Sequence, residues 1–535
     1  MLSLFFKNVI SCLTCLLLTL SGIAQDKTEI KASRIVMAPS DTSQWQQWKE
    51  DLQKTKKEIK TAIGYSDTLY QKNEFKWVSD CYNVAMLMLF DKEFYNPSTH
   101  HYNVNGYIQD GIKKFGGYDG VVLWHAYPRI GFDERNQFDF YREFPGGLAG
   151  LRNIVKQFHQ KNIKVFIDYN PWDKGTRRED KPDMDMLADI IKAIGADGIF
   201  LDTMNESSEI FRKKVNEARS GVVLESELEL PVERIYNHHM SWAQWYDDSY
   251  VPGVLWSKWF EPHHMLHMIR RWDTDHSSEL HTAWMNGSGM IIWENIFGTP
   301  NLWNERDRSI IRSMTPIQHR YSDIFSGNGW NPLYKIQLPD VFANEWYNNK
   351  YTIWTLVNRS NNSRSGLLFI VKNNPGIKYF NLVAGKETGS VSHDSVFINA
   401  EIPARGISAI IAIGKDDITA DFRTFLKQQA IVYSKYNNDS SKIFLKEELI
   451  VSPSVVYKRN KIPKGMVLIK GSTHQTAIRY TERECGFYTI KDKIGEATID
   501  SNTITQPVTV SLKTYAMDET PVTNQQYYNF IRATR

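Results

Sequence analysis

A series of short apolar runs across residues 75–345, most of them ending on an acid, a histidine or a tryptophan, constrains this chain more than any other feature. The clearest is Gly198-Ile-Phe-Leu201, entered through a glycine turn at Gly195 and followed at once by Asp202. It is short, uncharged and bounded by turn residues, which predicts a strand buried on both faces of a parallel sheet. Residues 84–90, 120–124, 163–168, 198–202 and 221–225 read as the first five strands in the same way, 253–256 as the sixth and 290–294 as a later one, the seventh. Between them, 148–161 and 184–196 carry apolar residues at helical spacing, among them Leu187, Ile190, Ile191 and Ile194. Repeated strand–helix units over about 250 residues predict an α/β fold, a (β/α)8 barrel. An open doubly wound sheet is the alternative. No G-x-G-x-x-G follows the first strand and no Walker sequence occurs, so no cofactor is expected.

A carboxylate at the C-terminal end of a barrel strand lies where such barrels keep their chemistry, although one acid such as Asp202 could equally cap the following helix. Here five strand ends carry such groups: His125; Asp168 with Asn170; Asp202; Glu225 with Glu227; and Glu294. Acids gathered at one mouth repel each other, which raises at least one pKa, as a general acid requires. Trp124, Trp172, Trp256 and Trp293 occupy the same strand ends or the loops after them. Carboxylates ringed by flat aromatic groups fit glycoside hydrolysis, in which one acid attacks or activates water and the other protonates the leaving oxygen. Metal binding is the rival. His263 and His267 stand four apart and could share a helical face, but no H-E-x-x-H is present and core or surface histidines are the default, so no metal is expected.

A formal net charge of +3 over 535 residues argues against a nucleic-acid partner bound by phosphate neutralisation. The partner expected is a carbohydrate; oligomeric state is not legible. At the N-terminus, Lys7, the apolar stretch 9–20 and small residues to Ala24 form a signal-peptide pattern with cleavage after Ala24. This predicts a secreted or periplasmic protein without membrane attachment, an uncleaved anchor being the alternative. Cys12 and Cys15 leave with that peptide; Cys81 and Cys485 lie too far apart in sequence to indicate a disulfide framework or a zinc site.

The remaining organisation is read from texture. Residues 25–75 are polar and helix-forming, with Trp45, Trp48 and Leu52 on one stripe that packs on the barrel at 76–345. Residues 346–415 alternate strands with Asn, Ser and Gly turns, predicting an antiparallel β-sandwich. Residues 416–460 read as a linker and 461–535 as a further, partial α+β domain.

Three fragments resemble glycoside hydrolase barrels of the alpha-amylase-like kind. Gly195-Ala-Asp-Gly-Ile-Phe-Leu-Asp202 is similar to their fourth-strand motif, Ile167-Asp-Tyr-Asn170 to their third-strand segment, and Leu224-Glu225 matches the position of their acid/base on the fifth strand. The resemblance implies Asp202 as nucleophile and Glu225 as acid/base, with Glu227 as its substitute. His125, Asp168, Asn170, Trp172, Trp256, Trp293 and Glu294 would then bind substrate. Two positions depart from the pattern: Phe200 stands where the family has an arginine, and Trp293-Glu294 replaces a His-Asp pair. Dextranase-like or alpha-galactosidase-like barrels are therefore the nearer comparison, and a non-catalytic glycan-binding barrel is an alternative function. Separately, Pro463-Lys-Gly-Met-Val-Leu-Ile-Lys-Gly471 followed by Tyr515-Ala-Met-Asp-Glu-Thr-Pro-Val-Thr-Asn524 resembles the opening of a sulfatase-modifying-factor (formylglycine-generating) domain. That family's redox cysteines and metal ligands lie further along than Arg535, so no catalytic residue carries over. A protein of this type, its catalytic part missing from the chain, is the third alternative.

Overall fold

Eight parallel strands close into a barrel in the computed structural model, which describes residues 34–125, 130, 133–444, 461–481 and 503–534. The signal-peptide pattern and Cys485 lie outside those residues. In chain order the barrel strands are β1 (Asn83–Met88), β2 (Gly120–Trp124), β3 (Lys164–Tyr169), β4 (Gly198–Leu201), β5 (Val223–Ser226), β6 (Met240–Gln244), β7 (Met265–Ile269) and β8 (Gly289–Ile292). Each pairs in parallel with its neighbour, and Met290 opposite Asn83 closes β8 onto β1. This is the (β/α)8 fold expected.

Side chains alternate along each strand between the barrel interior and the helices outside. Val121, Leu123, Val165, Ile167, Ile199, Leu201 and Leu224 point outward and form one core with Ile154, Leu187 and Ile191 of the flanking helices. The helix Asp183–Ile194 ends on Gly195, whose φ of +82 only glycine adopts at low cost. Inside, Gly198 leaves room for Phe166: a Cβ there would sit 2.3 Å from its ring. Higher up, Phe200 stacks on Trp242 with ring centroids 4.3 Å apart.

Two strand assignments need correction. Residues 253–256 are not the sixth strand; Val254–Leu255 pairs antiparallel with Ile35–Val36 outside the barrel, and the chain turns at once into the short helix Trp256–Phe260. The sixth and seventh strands are β6 and β7, which makes the strand at Gly289–Ile292 the eighth. Polar residues hid both. Ser241 hydrogen-bonds His264 Nε2 at 2.8 Å, and His267 and Gln244 are buried strand residues with partners of their own.

Trp48 and Leu52, on the helix Trp45–Ala62, are buried in the core that also holds Trp256, Trp259 and Phe260. The antiparallel strands begin at Trp330–Tyr334, earlier than residue 346. They form a six-stranded and a three-stranded sheet packed through Trp354, Leu356, Phe369, Ile398 and Ile410. The stretch read as a linker contains the helix Ala420–Tyr433, whose Phe422 ring lies 5.1 Å from Phe380. Residues 444–535, together with 297–299, make a separate unit, which contains the hairpin pairs Met466–Ile469 with Tyr515–Asp518 and Ser472–Thr481 with Thr503–Leu512, and the helix Asn524–Thr534. No helix among the described residues is long and apolar enough to cross a membrane.

Candidate active site

Asp168, the inward residue near the end of β3, starts the site. It is fully buried, and no well-aligned hydrogen bond among the described residues reaches its carboxylate oxygens. His125, just past β2, places Nε2 3.3 Å from Asp168 Oδ2 and packs its ring on Phe140 and Tyr141. Burial pushes the His125 pKa down to about 3, so the imidazole is neutral.

Asp202 follows β4 directly. Asn170 and Trp172, in the loop after β3, both donate to its Oδ2, the indole at 3.0 Å. Asp202 does not cap the next helix; Ser208 does so by accepting from the Phe211 amide at 3.1 Å. Glu227, one residue past β5, completes the group. It is 6% exposed, accepts from Gln244 Nε2 at 3.0 Å and from the Thr203 amide at 2.7 Å, and adjoins Asp202, whose pKa its charge helps to raise.

Burial raises the pKa of Asp202 well above the ordinary carboxylate range, with the charges of Glu227 and Asp168 adding to the effect and the Trp172 bond opposing it. Asp168 is raised for the same reasons, burial first and the Glu227 charge second. Asp168 and Asp202 therefore keep their protons to a higher pH than an isolated aspartic acid does. Among the described residues no ion pair reaches Asp202, and no group of three or more His, Cys, Asp or Glu is arranged to hold a metal.

Three of the expected site residues lie elsewhere. Glu225 does point into the barrel, but below the rim. It is fully buried, with Oε1 2.5 Å from His267 Nδ1, while His267 Nε2 reaches the Cys81 carbonyl at 2.8 Å. Glu227, two residues on and one pleat higher, takes the place expected of Glu225. Glu294 follows the inward-facing Trp293 and so points outward. There Arg308 at 2.6 Å, Lys114 at 3.2 Å and the Trp303 amide hold it as a structural ion-pair centre. Trp256 belongs to the outer core beside Phe260 and is 1% exposed. His263 and His267 share no helical face: His267 is a strand residue, and His263 Nδ1 bonds Glu261 at 2.6 Å before β7 begins.

His125, Asp168, Asn170, Asp202, Trp172 and Glu227 come together at the mouth. Trp293 reaches the same end of the interior, its ring 5.1 Å from that of Trp124. Sequence reasoning missed Gln244, Thr203 and Trp245. The first and last belong to or follow the unrecognised β6. Thr203 acts through its backbone amide, which no side-chain pattern reports. A depression of about 530 Å³ opens beside Glu227, lined by Arg34, Asn205, Gln244, Trp245 and Tyr246 among others.

No protein-family model matches this chain, and no curated protein does. The resemblance of 463–524 to a sulfatase-modifying-factor domain thus stands on its motif alone. Solved structures with a similar fold include an Anoxybacillus alpha-amylase, 13% identical, covering 63% of this chain and 99% of its own at a TM-score of 0.43. A Geobacillus thermoleovorans alpha-amylase solved with acarbose is 13% identical over the same shares, TM-score 0.41. A cyclomaltodextrinase is 12% identical, covering 63% of this chain and 79% of its own, TM-score 0.43. Likeness of this order speaks to neither substrate nor mechanism.

Proposed function

We propose that this protein is a glycoside hydrolase that cleaves an oligo- or polysaccharide with Asp202 as nucleophile and Glu227 as acid/base. The observation that carries the reading is the placing of these two buried acids side by side at the C-terminal mouth of the barrel. Two-carboxylate hydrolysis needs one acid protonated and one ionised, and burial that raises the Asp202 pKa favours a proton held within the group. Bound substrate draws the proton to Glu227, beside the leaving oxygen, and leaves Asp202 free to attack. A carboxyl separation of about 5–5.5 Å in the substrate-bound enzyme gives retention of configuration, and one of about 6.5–9.5 Å gives inversion. Buried Asp168 and Asn170 and neutral His125, gathered at the mouth, would bind hydroxyls of the sugar being cleaved. The signal-peptide pattern places the reaction outside the cytoplasm.

The test is a panel of gluco-, galacto- and manno-oligosaccharides and matching glycosyl fluorides, followed by reducing-sugar or fluoride release. Asp202→Asn should abolish turnover without altering the far-UV spectrum; unchanged turnover overturns the assignment. A second reading, glycan binding without hydrolysis, is favoured by Phe200. It stands at the position where the resemblance implies an arginine, and its ring stacks on Trp242 instead. Saccharide binding by a wild-type protein that releases no product would decide for it.

A further inference from the structure

Two bulky residues with left-handed backbone flank the acid pair. Thr203, directly after Asp202, has φ +58, and Trp245, directly after Gln244, has φ +55. Such conformations cost about 1–3 kcal/mol each and persist only where the surroundings enforce them, typically at ligand-binding positions. The strain at Thr203 has a local explanation, since it aims the amide at Glu227 Oε2. At Trp245 the amide merely continues the ladder to the Ile269 carbonyl at 3.1 Å. What the turn changes there is the side chain. The indole lies on the wall of the 530 Å³ depression and is 38% exposed; Trp172, equally exposed, is committed to Asp202 through its indole N–H, and Trp124, Trp242 and Trp293 are buried. It is braced by the Arg271 guanidinium, 5.1 Å from its ring centroid and 5.6 Å from that of Trp293. Glu227 connects the two compartments: it adjoins Asp202, accepts from Gln244 Nε2 and from the Thr203 amide, and also lines the depression.

We propose that Trp245 is the stacking platform for the sugar on the leaving-group side of the cleaved bond, which makes the preferred substrate one whose leaving group is itself a pyranose. The inference rests on the glycoside hydrolase reading. A flat, exposed indole matches the apolar face of a sugar ring, and the brace at Arg271 fixes it without rotamer loss on binding. Asn205, exposed on the same wall, offers both a donor and an acceptor to ring hydroxyls. Glu227, between platform and nucleophile, is positioned to protonate the oxygen joining the two sugars.

The experiment compares the best oligosaccharide from the panel with the glycosyl fluoride of the same sugar, whose leaving group never meets the platform. Trp245→Ala should lower kcat/KM for the oligosaccharide about 10–100-fold while changing that for the fluoride less than about 3-fold, and Trp245→Phe should recover most of the loss. Equal losses on both substrates, or none on either, overturn the platform while leaving the hydrolase reading intact. If the wild type releases no product, calorimetric titration with the same oligosaccharides takes over. Binding weakened at least about 10-fold by Trp245→Ala upholds the platform without hydrolysis, and unchanged binding overturns it. A wild type that neither hydrolyses nor binds any of them overturns both.

Discussion

The barrel interior holds two buried acid groups, and they behave in opposite ways. At the mouth, Asp168, Asp202 and Glu227 are set together, the charge of Glu227 helping to raise the pKa of both aspartates, with no ion pair on Asp202 among the described residues. Lower down, Glu225 is matched to His267, which is matched in turn to the Cys81 carbonyl. Phe200, which stacks on Trp242, is the register partner of Glu225 on the neighbouring strand. Both sites contain a buried glutamate on the inner face of the same strand. A buried acid given a partner is part of the scaffold; one set among other acids stores repulsion that a substrate can relieve.

The sharpest way to break the comparison is to treat Glu225 and Glu227 alike. Glu227→Gln should reduce turnover about 10²–10⁴-fold with little change in melting temperature, as expected for loss of a general acid. Glu225→Ala should do the reverse. It strands His267 and costs about 3–5 kcal/mol in a urea melt, while turnover per folded molecule stays within about 3-fold. If both variants lose activity alone, the division between mouth and interior is wrong.

A second consequence concerns pH. Asp202 has a folded pKa above its unfolded value, so the native state binds the extra proton. Its contribution therefore becomes less favourable as pH rises from the unfolded value near 3.8 through the raised folded value. Asp202→Asn should accordingly raise stability at pH 7–8 by about 1.4 kcal/mol for each pKa unit of strain relieved, and by much less at pH 4. Calorimetry at the two pH values checks this, and a pH-independent effect would show that the acids do not repel. The smallest effect belongs to Glu294, the acid whose strand parity turns it away from the mouth. Glu294→Gln should cost about 1–2 kcal/mol through the weakened contacts to Arg308 and Lys114, with KM for saccharide unchanged. A raised KM would return Glu294 to the site.

Much of this was legible from local pattern. The five leading strands and Gly289–Ile292 are mainly apolar runs because both their faces are buried, and burial writes itself into composition. The same rule explains the failures. Residues 253–256 are equally apolar because they are equally buried, beneath the chain at Ile35–Val36 instead of in the barrel. Strands β6 and β7 carry Ser241, Gln244 and His267, whose polar atoms are satisfied by residues distant in sequence, so no local window reveals that they are core.

The sequence by itself determined the barrel, six of its eight strands, and the position of Asp202 at a strand end. It also placed Glu225 and Glu227 on one face, because strand parity has a period of two. Depth is what it could not supply. Two residues along a strand is a rise of about 6.6 Å, enough to separate a sealed ion pair from an open mouth. Which glutamate falls at which level depends on how eight staggered strands close on one another and on where β5 ends. Only the assembled barrel decides that, since the stagger is a property of all the strands together.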